Sequence, residues 1–194
     1  MTFKIKHQEE YSRKELLLRT FLGSIYLILP HTFLLTFVSL WSSVLNFLAF
    51  WAILFTGEYP ESWFDYQVKT LKWSARFSAS VSNLIDGYPS FGLDGDHESI
   101  EFNIEYPTDI SRGSVLVRAL FGYIYILFPH MFCLYFRFIA TGVLSLLAWW
   151  SVLFTGSYPE SWFNFNVGTL RWNYKVSTYM SYITQDYPAF SGLE

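Results

Sequence analysis

His31 and His130 are the residues of this sequence with the clearest potential for chemistry, because each follows a proline inside a long apolar stretch. Two neutral imidazoles can ligate a metal ion or a haem iron. Alternatively, a polar residue beside a proline simply caps a helix turn. No His-x-x-x-His or Cys-x-x-Cys motif accompanies the pair. We therefore predict no cofactor, and metal ligation by His31 and His130 remains only an alternative.

The other candidate reactive groups have simpler interpretations. The acidic run from Asp94 to Glu98 lacks the twelve-residue calcium-loop pattern and is predicted to be a solvated loop. Cys133 is the single cysteine, and its apolar surroundings predict a buried, unpaired thiol. No catalytic triad, phosphate loop or nucleic-acid motif is present, and the net charge of −3 disfavours nucleic acid as a partner. We predict that the protein is not an enzyme.

Arg137 is the charged residue placed deepest in an apolar stretch. A charge at the centre of a membrane span costs at least about 2.5 kcal/mol, so its side chain needs a partner, a cavity or a headgroup. Three interpretations remain open: snorkelling to lipid headgroups, pairing within a protein complex, and lining a transport path.

The chain contains an internal repeat that must position these residues. Residues 19–91 align with residues 118–190 without a gap, at a constant offset of 99. The ten-residue motif at 55–64, Phe-Thr-Gly-x-Tyr-Pro-Glu-Ser-Trp-Phe, recurs at 154–163. About two in five aligned positions are identical, which predicts two tandem copies of one structural unit.

Composition predicts an all-α membrane protein, since 52% of residues are hydrophobic and only 15% are charged. Each copy carries an apolar run of roughly 40 residues, whereas about 20 suffice to span a bilayer. Because proline breaks helices, we predict a hairpin broken at Pro30-His31 and at Pro129-His130, giving about four spans. A re-entrant first segment in each copy is the alternative.

Charge placement predicts the topology. Twelve of the 13 basic residues flank the predicted hairpins on one side, Arg137 being the exception. By the positive-inside rule, both termini and the central connector are expected to be cytoplasmic, and the two repeats parallel. Arg19 and Arg118 are then expected to be snorkelling anchors at the membrane boundary.

An amphipathic interfacial helix is predicted after each hairpin, near 61–86 and 160–185. Each of these helices is expected to pack against its own hairpin, and a surface for lipid headgroups or a partner is the alternative role. The residues expected to bind lipids or a partner are Arg137, Lys69, Lys72, Arg76, Arg171, Lys175, Trp63, Trp73, Trp162 and Trp172. Those expected to be structural are Pro30, His31, Pro129, His130, Gly57, Tyr59, Pro60, Gly156, Tyr158 and Pro159.

The predicted domain boundaries follow from the repeat. The first repeat covers 1–92 with a hairpin at about 12–57, the acidic linker covers 93–99, and the second repeat covers 100–194 with a hairpin at about 111–156. Phe3-x-Ile5 and Phe102-x-Ile104 alternate as short strands do, and they are expected to pair with each other or with a partner.

The motif Phe-Thr-Gly-x-Tyr-Pro, the Leu-x-Trp step, the closing Tyr-Pro-x-Phe and the upstream Pro-His resemble a bacterial family of small membrane proteins described only as a domain of unknown function. That family often carries the unit in tandem. Trp63 departs from it, since a smaller apolar residue is expected there. The resemblance implies a bacterial inner-membrane protein without an established enzymatic role.

Three functional hypotheses follow. The first is a non-catalytic accessory or scaffold subunit of a larger membrane protein complex. The second is a lipid-handling or small-solute transport protein that works as a homo-oligomer. The third is a haem or redox membrane anchor using His31 and His130. Membrane lipids are expected partners in every case.

Overall fold

A computed structural model describes residues 1–193 and contains four helices and one pair of strands. In chain order the elements are β1 (Thr2–Ile5), α1 (Arg13–Thr56), α2 (Glu61–Val81), β2 (Ile100–Asn103), α3 (Arg112–Thr155) and α4 (Glu160–Met180). The helix bounds of the second half repeat those of the first 99 residues later.

The long helices α1 and α3 begin and end at residues that suit these positions. Ser12 caps α1 by accepting a hydrogen bond from the backbone N–H of Glu15 at 3.3 Å, and Ser111 caps α3 in the same way. Gly57 follows α1 with φ +86° and Gly156 follows α3 with φ +76°. Glycine adopts this left-handed conformation without steric cost, so both helices end there.

The expected hairpins at Pro30-His31 and Pro129-His130 are wrong. Each long helix runs through its proline as one helix of 44 residues, so two candidate spans replace the expected four. A π-helical turn, Ser24–Ile28 or Tyr123–Leu127, precedes each proline. Such a wider turn shifts the local hydrogen bonds, and this allows the proline ring to follow it without ending the helix.

A side chain replaces the backbone donor that each proline lacks. Pro30 has no N–H to offer the carbonyl of Tyr26 four residues earlier, and the hydroxyl of Tyr88 donates to that oxygen at 3.0 Å. Tyr187 donates to the carbonyl of Tyr125 at the same 3.0 Å in the second half. The closing Tyr-Pro-x-Phe motif therefore stabilises the continuous helix.

The chain reverses direction after the long helix, at the Gly-x-Tyr-Pro turn. The hydroxyl of Tyr66 on α2 donates to the carbonyl of Val38 on α1 at 3.3 Å, and Arg19 near the start of α1 donates to the carbonyl of Ser80 at 3.4 Å. Contacts therefore move back along α1 as α2 proceeds. α2 is antiparallel to α1 and covers one side of it, as α4 covers α3.

The two short strands pair with each other, which confirms the strand pair expected from the sequence. The pairing is antiparallel, with Phe3 opposite Phe102 and Lys4 opposite Glu101. The Phe3 and Phe102 rings are 5.5 Å apart, and Phe3 also contacts Tyr174 of α4 at 5.3 Å between centroids. These aromatic contacts attach the sheet to the helical core.

The start of each half contacts the turn of the other half. The backbone N–H of Tyr11 donates to the carbonyl of Gly156 at 2.8 Å, and Arg13 donates to the carbonyl of Phe154 at 3.3 Å. Reciprocally, Tyr106 donates its hydroxyl proton to the carbonyl of Tyr59. The Gly-x-Tyr-Pro turns thus join the two halves.

Candidate functional site

The residues of the repeated motifs meet in one aromatic cluster in each half. In the first half His31 is fully buried, and the indole N–H of Trp73 donates to its Nδ1 at 3.0 Å. The ring of Phe91 stacks on the imidazole with 3.9 Å between centroids, and Tyr88 lies 5.4 Å away. We call these four residues the first histidine cluster.

The second histidine cluster consists of His130, Trp172, Tyr187 and Phe190, and it has the same geometry. The indole of Trp172 donates to Nδ1 of His130 at 2.9 Å, and Phe190 stacks on the imidazole at 3.9 Å. In both halves, Pro-His, Leu-x-Trp and Tyr-Pro-x-Phe therefore meet in the same packing arrangement.

The hydrogen bonds of the histidines oppose a role as metal ligands. An indole is only a donor, so Nδ1 of His31 and of His130 must use its lone pair as the acceptor. A neutral imidazole then carries its proton on Nε2, which leaves no lone pair for a metal ion. Both Nε2 atoms are buried without a hydrogen-bond partner among residues 1–193. Within those residues no three His, Cys, Asp or Glu side chains are grouped to hold a metal.

Arg19 and Arg118 bind the chain that follows α2 and α4, so the expected snorkelling anchors are wrong. Arg19 donates to the carbonyls of Ile85 at 2.6 Å and Gly87 at 2.9 Å. Arg118 is 1% exposed and donates to the carbonyl of Thr184 at 2.8 Å. Each arginine thereby fixes the turn that leads to Tyr-Pro-x-Phe.

Arg137 is held by its own half of the chain. Its Nε donates to Thr169 Oγ1 at 2.8 Å, one Nη donates to the carbonyl of Phe165 at 3.2 Å, and the guanidinium lies 4.2 Å from the centre of the Phe165 ring. A Cβ at Gly168 would approach that Nη to 2.9 Å. Glycine at 168 therefore makes room for the guanidinium, so pairing with α4 satisfies Arg137.

The first half places its cation differently. Val38 stands where the second half has Arg137, and Lys69 stands where it has Gly168. Lys69 pairs with Asp94 at 2.6 Å, and the side chains of the pair are 48% and 84% exposed. At this pair of positions the cation is contributed by α2 in the first half and by α3 in the second.

The other basic residues proposed for binding mostly make contacts within the chain. Arg76 is buried and donates to the carbonyl of Gly92 at 2.7 Å, and burial lowers its pKa. Arg171 donates to the carbonyl of Phe3 at 2.8 Å, and Lys175 to that of Leu193 at 2.7 Å. Lys72 is half-buried. These residues mainly attach the loops to α2 and α4.

The tryptophans proposed to bind lipid or a partner are buried or half-buried within the fold. Trp73 and Trp172 belong to the histidine clusters, while Trp63 and Trp162 are half-buried against the core. The turn tyrosines Tyr59 and Tyr158 are buried, and burial raises the pKa of both phenols. Their position supports the structural role expected for the Gly-x-Tyr-Pro turns.

An exposed apolar surface lies on the long helices, opposite the side that α2 and α4 cover. Between Arg19 and Glu58 the sequence contains no Asp, Glu, Lys or Arg. Cys133 is exposed on α3, so its expected burial is wrong. We call the exposed apolar surface of α1 and α3 the bare faces. On α1 it includes Leu17, Phe21, Ile25, Leu29, Phe33, Phe37, Trp41, Val44, Phe47, Trp51 and Phe55, and on α3 Leu116, Leu120, Ile124, Phe128, Phe132, Phe136, Ile139, Val143, Leu146, Trp150 and Phe154.

The sequence contained a signal for the bare faces. The exposed residues recur every three or four positions and are large, while several residues on the covered side, such as Ala49 and Ala148, are small. Only 11% of the most apolar stretch of each long helix is buried, whereas a core helix of a soluble protein is mostly buried. A contiguous exposed apolar surface with this many large side chains marks an interaction site for protein or membrane.

These features define a mostly helical protein whose two long helices are, by length and composition, able to cross a membrane. Residues 112–192 match the family model described as Domain of unknown function (DUF4389). The matched range contains α3, α4 and the second histidine cluster. Neither the curated proteins nor the solved structures contain a match to the chain.

Proposed function

We propose that this protein is a non-catalytic accessory or scaffold subunit of a membrane protein complex in the bacterial inner membrane, with both termini on the cytoplasmic side. The observation that carries the proposal is the pair of bare faces. Each large apolar side chain there gains about 1.5–3 kcal/mol when it leaves water, so an apolar phase has to cover them. Membrane lipids are the covering phase that we propose.

The polar groups of the repeated motifs support a structural role. Nδ1 of His31 accepts from Trp73, and the hydroxyl of Tyr88 donates to the backbone at the proline. Arg19 is bound to carbonyls that follow α2. Each group is used to stabilise the fold, and this supports the proposed non-catalytic role.

We also propose that the chain is a tandem duplication of one domain. Support comes from the helix bounds, which recur at an offset of 99, and from the two equivalent histidine clusters. Position 38 is valine where position 137 is arginine, and position 69 is lysine where position 168 is glycine. Copies that keep the same packing but differ at such positions suit a partner that is itself asymmetric.

Membrane attachment is tested by replacing residues of the bare faces. Phe37→Glu and Phe136→Glu place a charge on equivalent exposed positions of α1 and α3. The doubly substituted protein is expected to shift from the membrane pellet to the supernatant, whereas Asn164→Asp, which adds a charge to the exposed side of α4, is the matched control. Equal membrane binding of the wild type, the doubly substituted protein and the Asn164→Asp protein would contradict the proposal.

The accessory role is tested by purification of the tagged chain from its native membrane in mild detergent, followed by mass spectrometry and an absorbance scan. A stoichiometric membrane protein partner without a chromophore is the expected result. A solitary homo-oligomer would instead favour lipid handling or small-solute transport. A Soret band would identify a haem anchor and overturn our interpretation of His31 and His130.

A further inference from the structure

The bare face of α1 is too long for an ordinary membrane crossing. It extends without interruption from Leu17 to Phe55, which is about 57 Å at about 1.5 Å per residue. The hydrocarbon core of a bilayer is about 30 Å thick, and spanning helices tilt by about 20° on average. A crossing α1 would therefore expose much of its apolar face to water.

The charged surface of α2 lies beside the middle of α1. Tyr66 contacts the carbonyl of Val38 at 3.3 Å, and the amide of Gln67 donates to the carbonyl of Ser42 at 2.6 Å. The exposed Lys69–Asp94 ion pair is within one helical turn of Gln67. If α1 crossed the bilayer, this pair would lie at the depth of the hydrocarbon, where exposed charges are strongly unfavourable.

Each long helix has two different sides. One side is the bare face, and the opposite side is covered by an amphipathic helix that presents exposed polar residues such as Asp65 on α2 and Asn164 on α4. This arrangement is typical of helices that lie in the membrane interface, with an apolar side in the acyl chains and a polar side in water.

We propose that α1 and α3 lie along the membrane surface, with their bare faces inserted into the acyl chains of the cytoplasmic leaflet and α2 and α4 facing the cytoplasm. This inference rests on the membrane attachment proposed above and specifies its geometry. The occupant of the bare faces is one lipid leaflet. Both ends of each long helix are then on the same side of the membrane, whereas a span would place them on opposite sides.

Single cysteines at the two ends of α1 test this geometry. Lys14→Cys lies at the exposed start of α1 and Glu58→Cys just beyond its end, each in a Cys133→Ser background; Glu61→Cys is a second probe if Glu58→Cys does not accumulate. A membrane-impermeant maleimide is applied to sealed inverted vesicles and to intact spheroplasts. Phe33→Cys, in the middle of the bare face, reports protection by lipid.

The expected result is that both ends of α1 react at least tenfold faster in inverted vesicles than in spheroplasts, while Phe33→Cys remains protected in both. Reaction of the two ends from opposite sides would overturn the inference and leave membrane attachment intact. Reaction of either end from both sides would also overturn it. Recovery of the unmodified chain in the soluble fraction would contradict the proposed membrane attachment itself.

Discussion

Replacement of Tyr88 with phenylalanine tests how α1 passes through Pro30. The substitution removes the hydroxyl that donates to the Tyr26 carbonyl at 3.0 Å, but it keeps the ring that lies 5.4 Å from His31. A hydrogen bond of this kind contributes about 0.5–1.5 kcal/mol net. Because Tyr88 is partly exposed, water replaces some of the loss, and we expect Tyr88→Phe to cost about 1 kcal/mol. The Tm of the protein in detergent should fall by about 2–4 °C.

A double-mutant cycle with Pro30→Ala separates this role from general packing. Alanine restores a backbone N–H that can donate to the Tyr26 carbonyl, so Tyr88→Phe should cost about 0.5 kcal/mol less in that background. The free energy of unfolding is measured by urea titration followed by circular dichroism. An equal cost in both backgrounds would refute the role that we assign to Tyr88. Tyr187→Phe with Pro129→Ala provides the matched cycle in the second half, where the hydrogen bond is also 3.0 Å.

Three further predictions concern stability. Arg118→Met should lower the free energy of unfolding by about 3 kcal/mol, because the charge-assisted hydrogen bonds of a buried guanidinium are lost. Arg118→Lys should recover part of this loss. A decrease of less than about 1 kcal/mol in urea unfolding of Arg118→Met would contradict the role of Arg118. Gly156→Ala should cost about 1–2 kcal/mol in the same assay because φ is +76°, whereas Gly142→Ala, whose Cβ would meet open space in a helix, should stabilise the protein by up to about 1 kcal/mol. Burial raises the pKa of Asp86, so the fold favours the protonated carboxyl, and the stability of the wild type should fall as the pH rises from below about 4 through the raised pKa. Asp86→Asn should remove this decrease. The same pH dependence of stability in the wild type and in Asp86→Asn would contradict the prediction.

The parts of the fold that depend on local sequence were predictable. The presence of two short strands follows from the alternating Phe3-x-Ile5 and Phe102-x-Ile104, and the ends of the long helices follow from Gly57 and Gly156, which adopt positive φ as a helix-ending glycine does. These features need only a few neighbouring residues. Their physical cause is contained in the segment itself.

The continuity of α1 was not predictable from its own segment. Proline normally leaves a carbonyl without a donor, and the rule that it breaks a helix assumes that no other donor is available. The donor, Tyr88, lies 62 residues beyond Tyr26 in the sequence. The recurrence of Pro-His together with Tyr-Pro-x-Phe in both halves was the one available signal of this contact.

The candidate binding residues were only partly predictable because charge and exposure do not coincide in this protein. Arg76 and Arg118 were expected near lipid, yet both are buried and bind carbonyl groups. The bare faces are exposed and apolar, and they lie opposite α2 and α4. Sequence periodicity identifies which residues share a side of a helix, but the covering helix decides which side remains exposed.

The strand pair of Phe3 and Phe102 has a consequence for how such a chain arises. These two residues are equivalent under the offset of 99 and face each other across an antiparallel ladder, which is the pairing that a twofold axis generates. On the proposed duplication, the protein corresponds to a symmetric homodimer whose subunits have become one polypeptide. A single-copy relative would then form the same sheet by self-association, and gene fusion would have freed its two subunits to diverge.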